Sequence, residues 1–393
     1  MAAAHAQDEK PTTRAEAILE ERYEKAEHLE PEEPAPIEKQ LNILTDHRVL
    51  ERYTAGVGGF FPTLGGLPTG QGLSAGVRYD QQGAADGALD FRGVALGSLS
   101  GSYRFELGVS APRISDGRVQ LDFTAAHHNF SRLDFYGLGP DSELDDRTVY
   151  RFEDTTYDAL ARFRPFGPRV QFGVKGGLQQ VNTGPGKRGG IPSIEQSFTD
   201  AQVPGLDRQT DFFRSGVFAT LELRDDPHGP RAGTLLNGEW NIYRDLDLNQ
   251  HDFQRFDLEV QHYIPFYNKR RVILLRGRTT MQFHDSDKTV PFYHKPWIGG
   301  PVELRGFRNY RFTDDNVLML NAEYRWEAFS GLDMALFFDA GQVSPTHGFE
   351  LDEMETAAGF GFRFNARNAT FLRLDFGFSH EGARVWFRFG NPF

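Results

Sequence analysis

The sequence predicts an all-β protein, a transmembrane antiparallel barrel of about sixteen strands. Three observations carry this expectation. From about residue 47 to the end, short segments alternate apolar and polar residues, with no helical period between them. No run approaches the roughly 18 consecutive apolar residues that a membrane helix needs, and the mean hydropathy is -0.50. Barrel strands need apolar residues only at alternate positions, so a low mean is compatible with spanning. Phe (35) and Gly (42) are both abundant. Aromatic girdles and bent strands use them, whereas a soluble acidic enzyme gives no reason for them.

Taken in chain order, residues 1–46 differ from the rest. Ala4, His5 and Ala6 before Gln7 read like the small-residue end of a secretory signal, so the chain is expected to begin near a processed terminus with Met1 added. Thr13 can cap a short helix through Leu29, with Ile18, Leu19, Tyr23 and Ala26 on one stripe, and Pro31, Pro34 and Pro36 stop it. This stretch is expected to be a periplasmic tail, partly helical or disordered, and it is too short for a βα domain.

Residues 47–393 are expected to form the barrel. Tyr103, Phe105, Leu107 and Val109 share one face, as do Val119, Leu121 and Phe123. Later, Leu318, Leu320, Ala322, Tyr324 and Trp326 oppose Met319, Asn321, Glu323 and Arg325. Met334, Leu336, Phe338 and Ala340 oppose Phe337, Asp339 and Gly341. Ala358, Phe360, Phe362 and Phe364 oppose Gly359, Gly361, Arg363 and Asn365. Leu372, Leu374, Phe376 and Phe378 oppose Arg373, Asp375 and Gly377. Val385, Phe387, Phe389 and Phe393 oppose Arg384, Trp386 and Arg388. A soluble sandwich also alternates, but polar faces that carry charge strand after strand suit a wet lumen. A closed barrel is also the one β arrangement that leaves no unpaired edge in lipid. The seam is expected between a strand near 50–80 and the strand 383–390. Connections read as short at 112–117, 166–169 and 380–382 and long at 127–147, 182–210 and 284–315. Barrels pair short periplasmic turns with long external loops, which places 284–315 outside.

Composition excludes several functions. A net charge of -12 argues against nucleic acid as a partner. The chain has no cysteine, hence no disulfide framework and no thiolate metal site, and it avoids mispairing in an oxidising periplasm. His127-His128 lacks regularly spaced partners for a metal. Asp141, Glu143, Asp145 and Asp146 do not have EF-hand spacing and read as a solvated acidic loop. Gly184-Pro185-Gly186-Lys187 is followed by Arg188 and no helix, so it is not a phosphate loop. No nucleophile elbow, catalytic residue, metal or cofactor is expected, and an esterase assay separates an outer-membrane lipase from a transport role.

The most specific signal lies at Gly299-Gly300-Pro301-Val302-Glu303-Leu304-Arg305-Gly306-Phe307. It resembles the (V/L)-R-G-(F/Y) element of the BamA/TamA-like assembly and translocation superfamily, also called the bacterial surface antigen family. Phe337-Phe338-Asp339-Ala340-Gly341 resembles the family's F-x-D-x-G strand, and Ala322-Glu323-Tyr324-Arg325 sits where the family has an inward acidic residue. Phe135-Tyr136-Gly137-Leu138-Gly139-Pro140-Asp141-Ser142 and Arg224-Asp225-Asp226-Pro227, continuing through Pro230, Arg231 and Gly233, also look like the family. The resemblance spans roughly 130 to 393.

It implies a Gram-negative outer-membrane barrel whose long external loop folds into the lumen, with Arg305 anchored by Asp339 and Glu323. Alternation independently puts both acids on the lumen face. A guanidinium fork suits two carboxylates, Gly306 permits close approach to the wall, and Phe307 can wedge against it. The expected latch is Leu304, Arg305, Gly306, Phe307, Glu323, Asp339 and Gly341. Well-known members carry POTRA domains, for which 46 residues leave no room, so the resemblance is to a member lacking them. Phe387, Phe389 and Phe393 resemble a C-terminal sorting signal, which makes the assembly machinery a partner for the chain's own insertion.

The expected function is insertion or translocation of polypeptide, or lipid, at the outer membrane. The alternatives are a passive or gated pore, and a scaffold whose tail recruits a separate periplasmic protein. Outer-membrane lipid is the partner of the outer face.

Overall fold

The computed structural model describes residues 57–366 and 369–389. The expected secretory remnant, the helix from Thr13, the proline cluster and Phe393 lie outside the described residues. Within them, sixteen strands form one antiparallel sheet in strict chain order. They are β1 (Phe60–Leu64), β2 (Ser74–Gly83), β3 (Leu89–Ser98), β4 (Tyr103–Ile114), β5 (Val119–Phe135), β6 (Thr148–Phe163), β7 (Val170–Pro185) and β8 (Phe212–Glu222). There follow β9 (Gly233–Asp245), β10 (Phe253–Phe266), β11 (Arg271–Phe283), β12 (Asn316–Phe329), β13 (Leu332–Ser344), β14 (Glu355–Ala366), β15 (Ala369–Ser379) and β16 (Gly382–Phe389).

The alternation in sequence becomes two faces in space. Leu320, Leu336, Phe338, Phe360 and Phe378 point outward, as do Val385, Phe387 and Phe389 at 61%, 62% and 56% exposure. Such a contiguous apolar outer surface is untenable in water and is the lipid face of a membrane barrel. The inner faces of β12 to β15 instead bury Asn321, Glu323, Arg325, Asp339, Arg363, Arg373 and Asp375.

The connection 284–315, between β11 and β12, supplies what covers them. Trp297–Ile298 pairs with Phe312–Thr313, closing the connection into a hairpin. Its tip turns at Gly299 (φ 118°) and Gly300 (φ 87°), where a Cβ would fall 2.3 Å from Arg308 O and 2.2 Å from Asn309 Oδ1. Only glycine fits there. The hairpin lies inside the curved sheet, because its residues touch both ends of it. Arg311 pairs with Glu381, between β15 and β16, and donates 2.7 Å to Ser142 O after β5. Asn309 Nδ2 donates 3.3 Å to Thr69 O between β1 and β2. The long external loop therefore enters the lumen and covers the inner faces of the late strands, its apolar side formed by Ile298, Leu304, Phe307 and Phe312 against Val317, Met319, Val343 and Ala357.

Three expectations need correction. The turn at 380–381 lies at the same end as the long loops, as strand parity requires and the Arg311–Glu381 pair shows. The pair His127-His128 is on β5, so the long connection there is 136–147. Similarly, Gly184 and Pro185 end β7, and the next connection is 186–211.

Candidate functional site

The loop tip meets the wall at Arg305, which has no exposed surface. Its Nε and Nη2 donate to Asp339 Oδ2 and Oδ1 at 2.8 and 2.7 Å, a bidentate fork. Nη1 donates to Glu323 Oε2 at 2.5 Å, and the Arg305 backbone N–H donates to Asp339 Oδ2 at 3.1 Å. The guanidinium also stacks 3.5 Å over the Phe337 ring, which the register places directly opposite Glu323. Burial by itself would push this guanidinium down. Asp339 and then Glu323 more than reverse that, so its pKa is raised and it remains charged.

Both carboxylates are themselves held. Asn321 Nδ2 donates 2.8 Å to Asp339 Oδ1 and 2.9 Å to Glu303 O in the loop. Glu323 also accepts from Arg325 (2.6 Å) and Arg363 (2.9 Å). Arg363 reaches Asp375 at 2.6 Å, and Asp375 pairs with Arg373, which donates to Pro301 O of the loop. Four guanidinium groups and three carboxylates thus interlock, each carboxylate fully buried. A charge in such a place depends on its opposite partners, and removing one leaves the other uncompensated.

The backbone of the tip docks as closely. Ser379 Oγ donates 2.9 Å to Gly306 O, and Trp386 Nε1 donates 2.7 Å to Arg305 O. A Cβ on Gly306 would come within 2.7 Å of Ala357 Cβ and 2.8 Å of Ser379 Cβ. A Cβ on Gly377 would lie 2.3 Å from Arg305 O. Gly341 likewise leaves room for Ile298 and Met319. Leu304 and Phe307 are fully buried, Phe307 edge-on to Phe312 and His380. The structure therefore brings Leu304, Arg305, Gly306, Phe307, Glu323, Asp339 and Gly341 together. Phe387 and Phe389 lie apart on the outer face of β16.

Sequence reasoning assigned no role to Asn321, Arg363, Arg373, Asp375, Ser379 or Trp386. Most were on the lumen face by parity, and the signal was there: each of β12 to β15 places at least two charged residues on its inward face. It also missed a second anchor at Phe292–His294. Phe292 packs edge-on to Phe135 and Tyr150, while His294 is ringed by Phe212, Tyr243, Phe253 and Tyr293.

Desolvation in this cage, then Arg214 and Arg255, pushes the His294 imidazole down from 6.5 to about 3. The unfolded chain takes up a proton below 6.5 that the folded one refuses. The contribution to stability is therefore full above 6.5 and falls as pH drops toward 3. Melting temperature followed from pH 7.5 to 4.5 should fall more steeply for the parent than for His294→Gln.

The remaining motifs stay unassembled. His128 Nδ1 bonds Asp154 at 2.8 Å, and His127 Nδ1 bonds Thr155, both structural contacts on the wall. No group of three metal-ligating side chains occurs among the described residues. Against expectation, Gly72-Leu73-Ser74-Ala75-Gly76 does have G-x-S-x-G spacing. Yet Ser74 opens β2 of an antiparallel ladder, whereas a nucleophile elbow joins a strand to a helix.

A family model described as the Omp85 superfamily domain matches residues 69–392. No curated protein sequence matches the chain. Among solved structures, BamA from Haemophilus ducreyi lacking POTRA domains 1-3 superposes with a TM-score of 0.62 at 14% identity, covering 84% of this chain and 68% of that one. CdiB from Escherichia coli gives 0.52 at 15% identity, covering 84% and 61%, and CdiB from Acinetobacter baumannii 0.50 at 13%, covering 80% and 56%. This chain thus spans less than two thirds of the CdiB chains. At these identities the likeness speaks for the fold, and the family match covers most of the sequence: the chain belongs to the Omp85 superfamily and is a β-barrel of the Gram-negative outer membrane.

Proposed function

We propose that this barrel assists insertion or passage of polypeptide, or of lipid, at the outer membrane, with the Arg305 tip as the latch of its lumen. The observation that carries the reading is the external loop held inside the barrel on a fully buried Arg305–Asp339–Glu323 cluster. A static pore has no use for a plug docked with that many buried charges. The ends of the sheet support the same reading. β1 has five residues and contains Pro62, and among the described residues it pairs with β2 alone, as β16 pairs with β15 alone. Short end strands with free backbone groups are where an incoming strand can add. The work is non-enzymatic, since no bond is made or broken. The tail before the barrel is the proposed contact for a separate periplasmic protein, which co-purification from native membranes would reveal.

The experiment is reconstitution of the full chain in liposomes, with an unfolded small barrel protein or a fluorescent lipid supplied outside. The parent should speed client folding, or lipid transfer, over empty liposomes, and Arg305→Ala should bring it back near the empty rate. No acceleration of either, together with large steady currents in planar bilayers, contradicts the proposal and favours a pore.

A further inference from the structure

The turn between β8 and β9, residues 223–232, is a second folded-in element at the periplasmic end. The hairpin ladder continues past the strands, with Asp225 N–H donating to Ala232 O at 2.9 Å. The Asp225 carboxylate then ties the turn, accepting 3.0 Å bonds from the backbone N–H of Arg231 and of Ala232 and a 2.8 Å bond from Lys269 Nζ. Burial would raise this carboxyl, but Lys269 and those N–H groups hold it down at about 2. Arg224 reaches inward to Gln261 at 3.0 Å, beside the buried cluster Tyr263, Val272 and Leu274.

Arg231 is the decisive contact. Its Nη1 donates 3.0 Å to Lys269 O, and its Nη2 donates 2.6 Å to Asp333 on β13. β9 and β13 are four strands apart in the sheet. At about 4.8 Å per strand the path along the wall is roughly 19 Å, beyond any arginine that stays on the wall. The turn therefore leaves the wall and leans over the neighbouring β10–β11 turn toward β13, as a strap along one side of the periplasmic end.

Asp333 continues the line. It is one register step from Arg325 on the inner face, on paired strands, and acts on that guanidinium electrostatically. Asp333 Oδ1 and Arg325 Nη2 are both buried without a hydrogen-bond partner. Arg325 in turn donates to Glu323, which receives Arg305. A row of alternating charges therefore runs through the lumen from the periplasmic strap to the external loop tip.

We infer that the 223–232 turn is a periplasmic strap coupled through Arg231, Asp333, Arg325 and Glu323 to Arg305, so that displacing the strap loosens the external loop tip. This rests on reading that tip as a latch, and it gives the latch a trigger: a chain arriving from the periplasm meets the strap first. The ends of the barrel communicate here through three ion pairs, Arg231–Asp333, Arg325–Glu323 and Glu323–Arg305, joined by one through-space step from Asp333 to Arg325, so that opening one pair changes the field on the next.

The chain has no native cysteine, so single introduced thiols report directly. Leu304→Cys, beside Arg305 and fully buried, is titrated with a small maleimide in reconstituted protein. Arg231→Ala should raise its modification rate about fivefold or more, the lower end of ordinary coupling. Asp333→Asn should do the same, and the two together should add little. His228→Ala, at the 86% exposed tip of the strap, should leave the rate at the parent value. The inference is overturned if Arg231→Ala makes a second reporter, Ala232→Cys, more reactive while Leu304→Cys stays at the parent rate. Should Arg231→Ala not yield folded barrel, Asp333→Asn decides between the same two outcomes. The assay contains no client. Coupling without client acceleration therefore leaves the strap standing and removes the functional reading, and the converse result does the opposite.

Discussion

Replacing Arg305 with alanine is expected to lower barrel stability by about 3–5 kcal/mol, the range for stripping one partner from a buried ion pair. The full range applies because the site is dry: the side chains of Arg305, Glu323 and Asp339 have no exposed surface. The readout is the temperature at which the compact, heat-modifiable form disappears in detergent gels. Arg305→Lys should rescue poorly, since an ammonium cannot span Asp339 bidentately and reach Glu323 as well. Asp339→Asn should resemble Arg305→Ala, and the double variant should be no worse than the more damaging single one, because both break the same unit. The loop should not leave the lumen altogether. Phe292 and His294 still hold its base among the aromatic rings of β5, β6 and β8 to β10, so planar-bilayer currents should rise modestly for Arg305→Ala and strongly when 284–315 is deleted.

The second large effect is steric. Gly377→Val should expel the loop tip with Arg305 intact. A Cβ at 377 would sit 2.3 Å from Arg305 O, 2.5 Å from Arg305 C and 2.9 Å from Gly306 N, all backbone atoms with nowhere to go. Relief requires the tip to lift, which breaks the Trp386 bond to Arg305 O and the Ser379 bond to Gly306 O. Overpacking of this kind costs about 1–3 kcal/mol, and two lost bonds to buried carbonyls add to it. Gly97→Ala is the control, because a Cβ there meets nothing within 4 Å. The melting temperature should drop for Gly377→Val alone, and combination with Arg305→Ala should add little.

These two residues mark how much was legible in the sequence. The strand faces were readable because side-chain direction in a strand has period two, and a one-residue error would have turned Glu323 and Asp339 into lipid. Parity put both acids in the lumen, and the Leu304-to-Phe307 motif pointed to their partner. Gly377 was visible only as an inward glycine, indistinguishable from one that bends a strand. Its role depends on a loop some seventy positions earlier lying against it, as the 73-residue separation of Gly306 and Ser379 shows. The Phe292–His294 anchor and the strap at 223–232 were hidden for the same reason. Which connection folds inward is decided by contacts between distant segments, not by local pattern. The turn at 380–381 misled by its length: it is short yet external, since an even sheet must return on that side.

The central claim is that the tip of the 284–315 loop is a docked, buried element. Amide hydrogen exchange across 298–313 in the reconstituted parent protein tests it most directly. Arg305 N–H is bonded to Asp339, Phe307 N–H to Leu304 O and Gly300 N–H to Phe307 O. These amides should be protected for hours, like those of β12 and β13, and should exchange far faster in Asp339→Asn. Exchange within seconds in the parent, at the pace of an exposed loop, would contradict the docked tip and the latch built on it.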